Sequence, residues 1–480
     1  AQLVRAAVCG TEGRQFESVP VYQKMEKQKK IKPLKELPSG FEDRKEKELL
    51  IRDFIISKIK EVMVKYGFQY LETPSFEYTE SIGKFLPDKE RPGEGVFSFK
   101  DENKWLSLRY DLTAPLARYV AKNFNEIPKP FKRYQLGTVW RNEKPGPGRY
   151  REFLQFDADY VGTKNLQADA ELCVMISEIL ENCGLTKDDY TVKISSRKIT
   201  NELFEKLKIQ SQEKISIILR ALDKIDRLGW TEVKKLLGEG RKDKSGDYTK
   251  GAELDNDQIK VIESSLNVNS PESEDLKQII KIFKDYKFDN YKFDPSVIRG
   301  LEYYTGPIFE VNLNFNVKNL KGQVIQFGSI GGGGRYDNLV SNFGNLDYPA
   351  TGISVGIDRL VFALMQKKEF DLKVTRPVMI SVFDQNNMNK YIEILKKLRS
   401  ENISSEIYPG EGKIKKQMEY ANRISSPCVI FAGEEEIKNS EVKIKDLRTG
   451  KETNIKDENI VNEIKKIIWK YIKVNKIRGL

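Results

Sequence analysis

The chain has 480 residues, of which 39% are apolar and 32% are charged, a balance typical of a globular protein with two or three domains. No run of eighteen apolar residues occurs, so the sequence predicts no membrane-spanning helix. The net charge of +11 favours a polyanionic partner such as nucleic acid, although a lysine-rich surface that serves only solvation gives the same charge.

The first part of the chain is predicted to hold an extension, a helix and three strands. Residues 1–36 form an extension of unassigned role. Its first twenty residues contain few acids, as in a transit peptide, but a processed terminus gives the same pattern. The elements predicted next from apolar periodicity are a helix over 46–66 that ends at Gly67, a strand over Phe68–Leu71 with a kink at Pro74, and strands over Phe131–Arg141 and Phe153–Val161.

The second half is predicted to contain an insertion and then a separate domain. Residues 200–290 are charged and mostly helical in pattern, which predicts a helical insertion. Strand patterning returns over Ile298–Leu313 and Val324–Ile330, and a helix is predicted from Ile357. After Pro377, strands and helices alternate as in a small α/β domain. Its predicted elements are strand Val378–Phe383, helix Met388–Ser400, strand Glu406–Tyr408, helix Lys413–Ile424, strand Val429–Ala432 and helix Ile460–Tyr471.

Two residue types restrict the chemistry. The four cysteines are scattered without a C-x-x-C pair, which predicts neither a zinc site nor a disulfide framework and fits a reducing compartment. Histidine is absent, which removes the commonest metal ligand and the usual base near neutral pH. Any reaction must therefore use carboxylates, arginines, tyrosines, backbone amides and groups of the substrate. Genome drift, selection and engineering would each explain the missing histidines.

The segment Arg141–Phe153 (RNEKPGPGRYREF) places an arginine at the end of one strand, then a loop of prolines and glycines, then two arginines entering the next strand. A guanidinium binds phosphate as a planar fork, so this hairpin suits the phosphates of a nucleotide. A basic surface hairpin without a ligand is the alternative that spacing alone leaves open.

The segment Ile298–Gly306 (IRGLEYYTG) is predicted to be an extended strand. On such a strand Arg299, Leu301 and Tyr303 share one face. An arginine beside a tyrosine could form one wall of a polar pocket. A structural strand with an interface tyrosine is the alternative.

Two glycine-containing segments follow. Glycine weakens a strand unless a ligand or another backbone comes close, so Gly331–Asp337 (GGGGRYD) is either such a place or a flexible loop. Gly352–Leu360 is predicted to be a strand running into a helix whose first turn carries Arg359. The N-terminus of a helix together with an arginine favours a polyphosphate.

Together and in this order, these segments resemble those of one family, the histidyl-tRNA synthetases. The resemblance covers about residues 37–470. The segments that match are 67–78, similar to class II motif 1 at the dimer interface, 141–159, similar to motif 2, 352–360, similar to motif 3, and 377–470, similar to the anticodon-binding domain. Arg299–Gly306 and Gly331–Asp337 are similar to two segments peculiar to the histidine enzymes.

The resemblance implies roles for particular residues. The implied ATP-binding residues are Arg141 at the α-phosphate, Arg359 at the γ-phosphate, Glu143 beside the adenine or a bound Mg²⁺, and Arg149 and Tyr150 of the same loop. The implied histidine-binding residues are Asp111 and Thr113 at the α-amino group, Gln155, Asp159, Tyr303, Tyr304 and Tyr336 around the substrate, and Arg299 at its carboxylate. Arg141, Arg299 and Arg359 would be catalytic. The family usually has glutamate where Asp159 stands.

The implied fold is an α+β catalytic domain on a mixed, mainly antiparallel sheet, with a helical insertion and a C-terminal α/β anticodon-binding domain. The implied bounds are an extension over 1–36, catalytic parts over 37–195 and 291–370, the insertion over 196–290 and the anticodon-binding domain over 376–480. The resemblance also implies a homodimer, cytoplasmic rather than mitochondrial and without a membrane partner. Its ligands would be histidine, ATP, Mg²⁺ and histidine tRNA.

The implied activity is that of a histidine-tRNA ligase. Histidine would react with ATP to give histidyl-adenylate and pyrophosphate, and the histidyl group would then pass to the 3′ end of histidine tRNA. The alternative is a catalytically inactive regulatory paralogue of histidine biosynthesis. Those relatives generally lose the arginine at Arg299 and the anticodon domain, both of which this sequence keeps. The Arg299 segment argues against a threonine or proline synthetase, and the lack of a Cys/His zinc set argues against the threonine enzyme.

The motif 2 loop departs from the common form of the family. Most bacterial members read an extra 5′ guanylate of histidine tRNA with a glutamine where this chain has Gly146. Glycine offers only backbone groups, and its proline neighbours have no N–H. The loop resembles that of an alphaproteobacterial subgroup whose tRNAs lack this guanylate, which implies that charging depends little on it.

Overall fold

The computed structural model describes residues 34–83, 95–242, 246, 248–268, 270–271, 273–299, 304–319, 321–325, 327–343, 348–367 and 376–473. The chain divides into a unit over 1–39 and a unit over 40–480, and the second unit holds every element below. Among the described residues, no helix is long and apolar enough to cross a membrane.

The strands in the described part of the chain are β1 Gln69–Tyr70, β2 Phe76–Tyr78, β3 Ser98–Asp101, β4 Lys104–Leu108, β5 Phe131–Trp140, β6 Glu152–Val161, β7 Tyr190–Ser196, β8 Gly240–Lys242, β9 Tyr248–Lys250, β10 Tyr291–Phe293, β11 Pro307–Leu313, β12 Val317–Lys318, β13 Val324–Ile325, β14 Ser329–Arg335, β15 Ala350–Gly356, β16 Val378–Ile380, β17 Ser405–Ile407, β18 Cys428–Phe431, β19 Glu441–Asp446 and β20 Glu452–Lys456.

The helices there are α1 Glu46–Lys65, α2 Thr79–Gly83, α3 Thr113–Lys122, α4 Leu166–Asn182, α5 Arg197–Lys206, α6 Gln212–Leu222, α7 Ile225–Leu228, α8 Trp230–Leu237, α9 Asn256–Leu266, α10 Glu274–Asp285, α11 Ile357–Leu364, α12 Met388–Ser400, α13 Ile414–Arg423, α14 Glu434–Lys438 and α15 Ile460–Lys473.

One large sheet positions the site. Its strand order is β1-β5-β6-β15-β14-β11-β7-β10. The two edge pairs, β1–β5 and β7–β10, are parallel. The five pairs between them are antiparallel. The mixed, mainly antiparallel sheet implied by the resemblance is therefore confirmed.

Helices α1, α4 and α11 cover one face of this sheet. In α1, Ile51, Ile55 and Ile59 recur every fourth residue and are fully buried. This spacing puts them on one side of the helix, so each isoleucine removes its side chain from water against the sheet. Burial of each such side chain contributes about 1.5–3 kcal/mol. The apolar layer on this face leaves the opposite face of the central strands for polar side chains.

Two further groups of elements have cores of their own. Helices α5 to α9, with the β8–β9 hairpin, bury a cluster that includes Leu222, Val233 and Ile262. The C-terminal sheet has the order β17-β16-β18-β19-β20 and buries Tyr391, Ile394 and other residues of its own cluster.

The structure corrects one sequence prediction, decides between two alternatives for the glycines of 331–334, and adds a hairpin. Ile298–Arg299 is not strand: β11 begins at Pro307, and Arg299 has a left-handed backbone with a φ of 49°. Residues 300–303, with Leu301 and Tyr303, lie outside the described residues. The glycines of 331–334 are not a flexible loop but part of β14. The β19–β20 hairpin of the C-terminal sheet was not predicted.

Candidate active site

The candidate site lies on the polar face of the large sheet, where β6 meets β15 and β14. On β6, Gln155, Asp157 and Asp159 alternate with other residues and therefore point to the same face. All three side chains are buried. They form part of a pocket lined by Tyr110, Asp111, Thr113, Arg141, Gln155, Asp157, Asp159, Arg299, Tyr304, Gly332, Gly333, Tyr336, Gly352, Ile353 and Ser354.

Glycines on the neighbouring strands give these side chains room. Gly352 of β15 lies opposite Asp159 of β6, and a side chain at Gly352 would overlap the Asp159 carboxylate. A side chain at Gly332 of β14 would overlap the Arg299 guanidinium. Glycine normally weakens a strand, but at these positions of β14 and β15 a larger residue would collide with the charged side chains.

The two carboxylate oxygens of Asp159 face different groups. It accepts a hydrogen bond from the Tyr336 hydroxyl at 2.5 Å and faces the Arg133 guanidinium at 3.2 Å. Arg133 is the residue opposite Asp159 in the β5–β6 pair, is fully buried, and donates to the Leu112 carbonyl at 2.7 Å. Burial raises the pKa of Asp159, and the positive charge of Arg133 opposes that rise. The Asp159 carboxylate is thus fixed as an acceptor on the pocket wall.

Asp157 stands two residues away and accepts from two neutral donors. The Gln155 amide donates to it at 2.8 Å, and the Thr113 hydroxyl donates to its other oxygen at 3.3 Å. Burial, followed by the nearby charge of Asp159, raises the pKa of Asp157 to about 7. Two buried carboxylates this close disfavour each other's ionised form.

Asp111 and Thr113 stand at the start of helix α3. The Asp111 carboxylate accepts the backbone N–H of Ala114 at 3.0 Å, and this contact fixes it at the first turn of the helix. Burial raises the pKa of Asp111, and the Ala114 hydrogen bond opposes that rise. The pocket therefore contains three carboxyl groups, those of Asp111, Asp157 and Asp159, and an ammonium or imidazole is the kind of ligand that they suit.

Arg141 borders the same pocket with its guanidinium between two rings. It lies 4.5 Å from the centre of the Tyr110 ring and 5.1 Å from that of Phe153. Its Nε donates to the Tyr110 carbonyl at 3.2 Å and one terminal nitrogen to the Gln155 side chain at 3.3 Å. These contacts fix the plane of the guanidinium, as recognition of a phosphate requires.

The loop after β5 supplies a second charged group beside the pocket. Glu143 accepts the Tyr110 hydroxyl at 2.5 Å and pairs with Arg149 at 3.3 Å. Tyr150 lies instead under Arg44, whose guanidinium is 3.9 Å from the centre of its ring. Glu143, Arg149 and Tyr150 are not among the pocket-lining residues.

Arg359 projects from the first turn of α11, against the Phe327 ring at 4.5 Å. Burial and, to a smaller extent, the positive charge of Arg149 lower its pKa to about 10. It remains a cation at neutral pH because that value lies well above 7. Arg359 does not line the pocket, and the charge of Arg149, which also lies outside the lining, acts on it.

The structure thus brings together most of the predicted histidine-binding residues. The predicted residues that line the pocket are Asp111, Thr113, Arg141, Gln155, Asp159, Arg299, Tyr304 and Tyr336. Tyr303 lies outside the described residues.

Sequence reasoning missed Arg133, Asp157 and Tyr110. Asp157 had a signal, since it alternates with Gln155 and Asp159 on one strand. The sequence around Arg133 gave no such signal, because the strand also contains the charged Lys132 and the polar Gln135. The pairing of Arg133 with Asp159 depends on the register between β5 and β6, which no local pattern gives.

Two family models match the chain in the order of these elements. The model described as histidyl-tRNA synthetase matches residues 40–360, and the one described as anticodon binding domain matches residues 377–467. A catalytic sheet followed by an anticodon-binding domain defines an aminoacyl-tRNA synthetase, which is a ligase.

Known proteins narrow this class to one family. The chain is 45% identical over 453 residues to a histidine–tRNA ligase of Bartonella quintana (strain Toulouse), covering 88% of this chain and 91% of that protein. It is 45% identical over 456 residues to one of Rhizobium meliloti (strain 1021), covering 89% and 90%. A crystal structure of histidyl-tRNA synthetase from Nostoc sp. PCC 7120 shares the fold, with a TM-score of 0.66 at 24% identity over 91% of this chain and all of that one. The chain belongs to the histidyl-tRNA synthetase family.

Proposed function

We propose that this chain activates histidine with ATP and transfers the histidyl group to the 3′ end of histidine tRNA. The observation that carries the proposal is the pocket itself. Three carboxylates for a cationic amino acid lie in one cavity with Arg141 and Arg299, which suit a carboxylate and a phosphate. The family membership supports the same reaction.

Histidine would be selected by the wall made of Asp159 and Tyr336. One ring nitrogen of imidazole donates to Asp159, whose carboxylate is held by Tyr336 and Arg133. An apolar side chain in the same place would leave these buried groups without a partner. A site built on hydrogen bonds rejects such a substrate much more strongly than an apolar pocket rejects one methylene.

Adenylation needs no base, which agrees with a chain without histidine. The substrate carboxylate is already a nucleophile: one of its oxygens bonds to the α-phosphorus while the bond to the β-phosphate oxygen breaks and pyrophosphate leaves. The enzyme must align these atoms and neutralise the charge that develops. We assign Arg141 and Arg299 to the α-phosphate and substrate carboxylate, and Arg359, with Arg149 and Tyr150, to the rest of the nucleotide.

We infer that Mg²⁺ accompanies ATP. Among the described residues, no group of three or more potential ligands could hold a metal ion by itself. Mg²⁺ in nucleotide sites commonly uses one or two carboxylates together with phosphates, and the half-buried Glu143 can supply one. When bound, the ion would screen the charge of the phosphates.

The C-terminal domain supports the tRNA half of the proposal. Phe383, three residues after β16, is 50% exposed and packs edge-on against Phe431 at 5.9 Å. An exposed ring can stack on a nucleotide base. The net charge of +11 favours the same polyanion.

We further propose a homodimer formed through the sheet β2-β4-β3. Three aromatic side chains on one face of this small sheet, those of Phe76, Tyr78 and Phe99, are between 44% and 49% exposed. Phe76 and Phe99 pack edge to face at 5.4 Å and form a continuous apolar surface. Aromatic residues are enriched in the buried centre of interfaces, and a second copy is the occupant proposed here because the adjoining segment resembles motif 1. Sedimentation equilibrium of Phe99→Lys should show a monomer if this is correct.

The regulatory paralogue is less supported. Arg299 lines the pocket, and the anticodon-binding domain is present. The proposed division keeps the predicted bounds, with an extension over 1–36, catalytic parts over 37–195 and 291–370, an insertion over 196–290 and the anticodon-binding domain over 376–480. We propose a cytoplasmic location.

Amino-acid-dependent exchange between ATP and pyrophosphate tests the activation step. The purified chain is assayed with each of the twenty amino acids. We expect exchange with histidine alone and its loss in Arg141→Ala. Arg241→Ala, a change on the β8–β9 hairpin, is the matched control and should keep the wild-type rate. Exchange with another amino acid, or none with any, would contradict the proposal.

A further inference from the structure

In the described part of the chain, Asp157 forms neither a salt bridge, as Asp159 does, nor a hydrogen bond to a helix N–H, as Asp111 does. Asp159 faces Arg133 at 3.2 Å, and Asp111 accepts a helix N–H at 3.0 Å. The groups that donate to Asp157 are the neutral Thr113 hydroxyl and Gln155 amide. Among the described residues, no salt bridge joins Asp157 to a lysine or arginine. A buried carboxylate in this condition is stabilised by any cation that enters the pocket.

The position of Asp157 in the pocket indicates which cationic group of a bound amino acid it would contact. Asp157 lies two residues before Asp159, the carboxylate held by Tyr336, and it is joined through Thr113 to the start of α3. On the other side, Gln155 connects it to Arg141. Asp157 is therefore between the wall proposed for imidazole and the arginine proposed for the carboxylate and α-phosphate. In histidine the group between the ring and the carboxylate is the α-ammonium.

We propose that Asp157 is a further substrate-binding residue, which receives the α-ammonium group of histidine and so determines selection for a free amino acid. This proposal rests on the proposed function and adds to it a residue that the motif comparison did not assign. Asp111 and Thr113 complete the ammonium site. Asp159 is left to the imidazole ring.

The same contacts give Asp157 a second effect, on Gln155. Since the Gln155 amide nitrogen donates to Asp157, its oxygen is turned to accept from Arg141. An ammonium bound at Asp157 therefore meets a carboxylate, a hydroxyl and an amide whose orientations are already fixed. A site arranged in this way loses little entropy on binding.

Burial and the neighbouring Asp159 raise the pKa of Asp157 to about 7, although the positive charge of Arg133 opposes the rise. The ligand's ammonium would add a cation in direct contact with Asp157. This effect agrees with the geometry and is a consequence of it.

Asp157→Asn is the variant that separates these roles. Asparagine has the same shape, its oxygen can still accept from Gln155, and its amide can donate to the Thr113 hydroxyl. The fold should therefore be kept while the negative charge is lost. Asp159→Asn serves as the contrasting variant, and Asp446→Asn, at the end of β19 in the C-terminal sheet, serves as the matched control.

The test is calorimetric binding of three ligands to the full chain. They are histidine, histidinol, which lacks the carboxylate, and imidazolepropionate, which lacks the ammonium. We expect Asp157→Asn to weaken histidine and histidinol about 10- to 100-fold, the usual range for a charge-assisted hydrogen bond, and to change imidazolepropionate by less than about threefold. Asp159→Asn should weaken all three, and Asp446→Asn none.

Two results would overturn the assignment. Equal weakening of all three ligands by Asp157→Asn would mean a structural or ring-binding role, and unchanged affinity for histidine would mean no contact with the ammonium. If the wild-type chain binds no histidine, the proposed function fails, and this assignment fails with it. Wild-type binding without the selective loss rejects Asp157 alone.

Discussion

Replacement of Asp159 by asparagine tests the pairing on which the pocket is built. The change keeps the shape of the side chain but removes the charge that faces Arg133 at 3.2 Å. Arg133 is fully buried and cannot give up its proton, so the variant contains an uncompensated buried cation. Breaking a buried pair in this way costs about 3–5 kcal/mol of unfolding free energy.

The structure favours the lower end of that range. Arg133 also acts on Asp157, whose pKa falls when the repulsion from Asp159 disappears. An ionised Asp157 then replaces part of the lost charge, so we expect a cost of about 3 kcal/mol for Asp159→Asn. Arg133→Met should cost less, because Asp159 can take up a proton and become neutral. The double variant should recover much of the loss, since it leaves no unpaired charge.

Urea unfolding of the four proteins, followed by circular dichroism, measures these free energies at about pH 7. Pyrophosphate exchange on the same samples should show a larger rise in KM for histidine than for ATP in Asp159→Asn. Additive losses in the double variant would refute the pairing of Arg133 with Asp159. Equal changes in the two KM values would place Asp159 outside the histidine pocket.

Arg299→Lys should lower the rate of pyrophosphate exchange on the order of 10²–10³-fold with an unchanged melting temperature, because an ammonium cannot reproduce the guanidinium fork. Exchange kinetics equal to those of the wild type would contradict a catalytic role for Arg299. The histidine KM of the wild type should rise about tenfold as the pH falls from about 8 to 6, because the Asp157 carboxyl, with a pKa of about 7, must lose its proton to bind an ammonium. The rise should be smaller in Asp157→Asn. Parallel pH profiles of KM for the two proteins would argue against this. Phe383→Ala should reduce tRNA charging about tenfold or more and leave exchange unchanged, whereas equal loss of both would deny the ring a role in tRNA binding. Adding a 5′ guanylate to the tRNA should change charging efficiency less than about tenfold, or 1.4 kcal/mol, because the N–H and carbonyl of Gly146 are both hydrogen-bonded to the backbone of Arg149. A larger preference would mean that another element of the chain recognises the guanylate.

Regular elements with strong patterns were predictable from the sequence. Helix α1 follows from apolar residues at helical spacing, and the β5–β6 hairpin follows from two apolar runs separated by prolines and glycines. The β19–β20 hairpin was missed, although Glu441–Asp446 alternates polar and apolar residues. Helical and extended patterns are hard to separate in such short segments.

The parts of the site that depend on tertiary contacts were less accessible. Arg299 was expected on a strand, but its left-handed backbone and its approach to Gly332 are set by the packing around β14. The Arg133–Asp159 pair needs the strand register, and the different surroundings of Asp157 and Asp159 need the full pocket. The sequence identified most of the residues of the site, but it could not show which carboxylates are paired with a cation and which are not.

Charging of tRNA with labelled histidine tests directly whether this chain is a histidine–tRNA ligase. Histidine tRNA is transcribed with its own anticodon and with a substituted one, and both are incubated with the chain, ATP and Mg²⁺. We expect histidyl ester on the 3′ end of the first tRNA, a strong reduction with the second, and none in Arg141→Ala. A wild-type chain that binds histidine but forms no histidyl-tRNA would contradict this expectation, and would favour the regulatory paralogue instead.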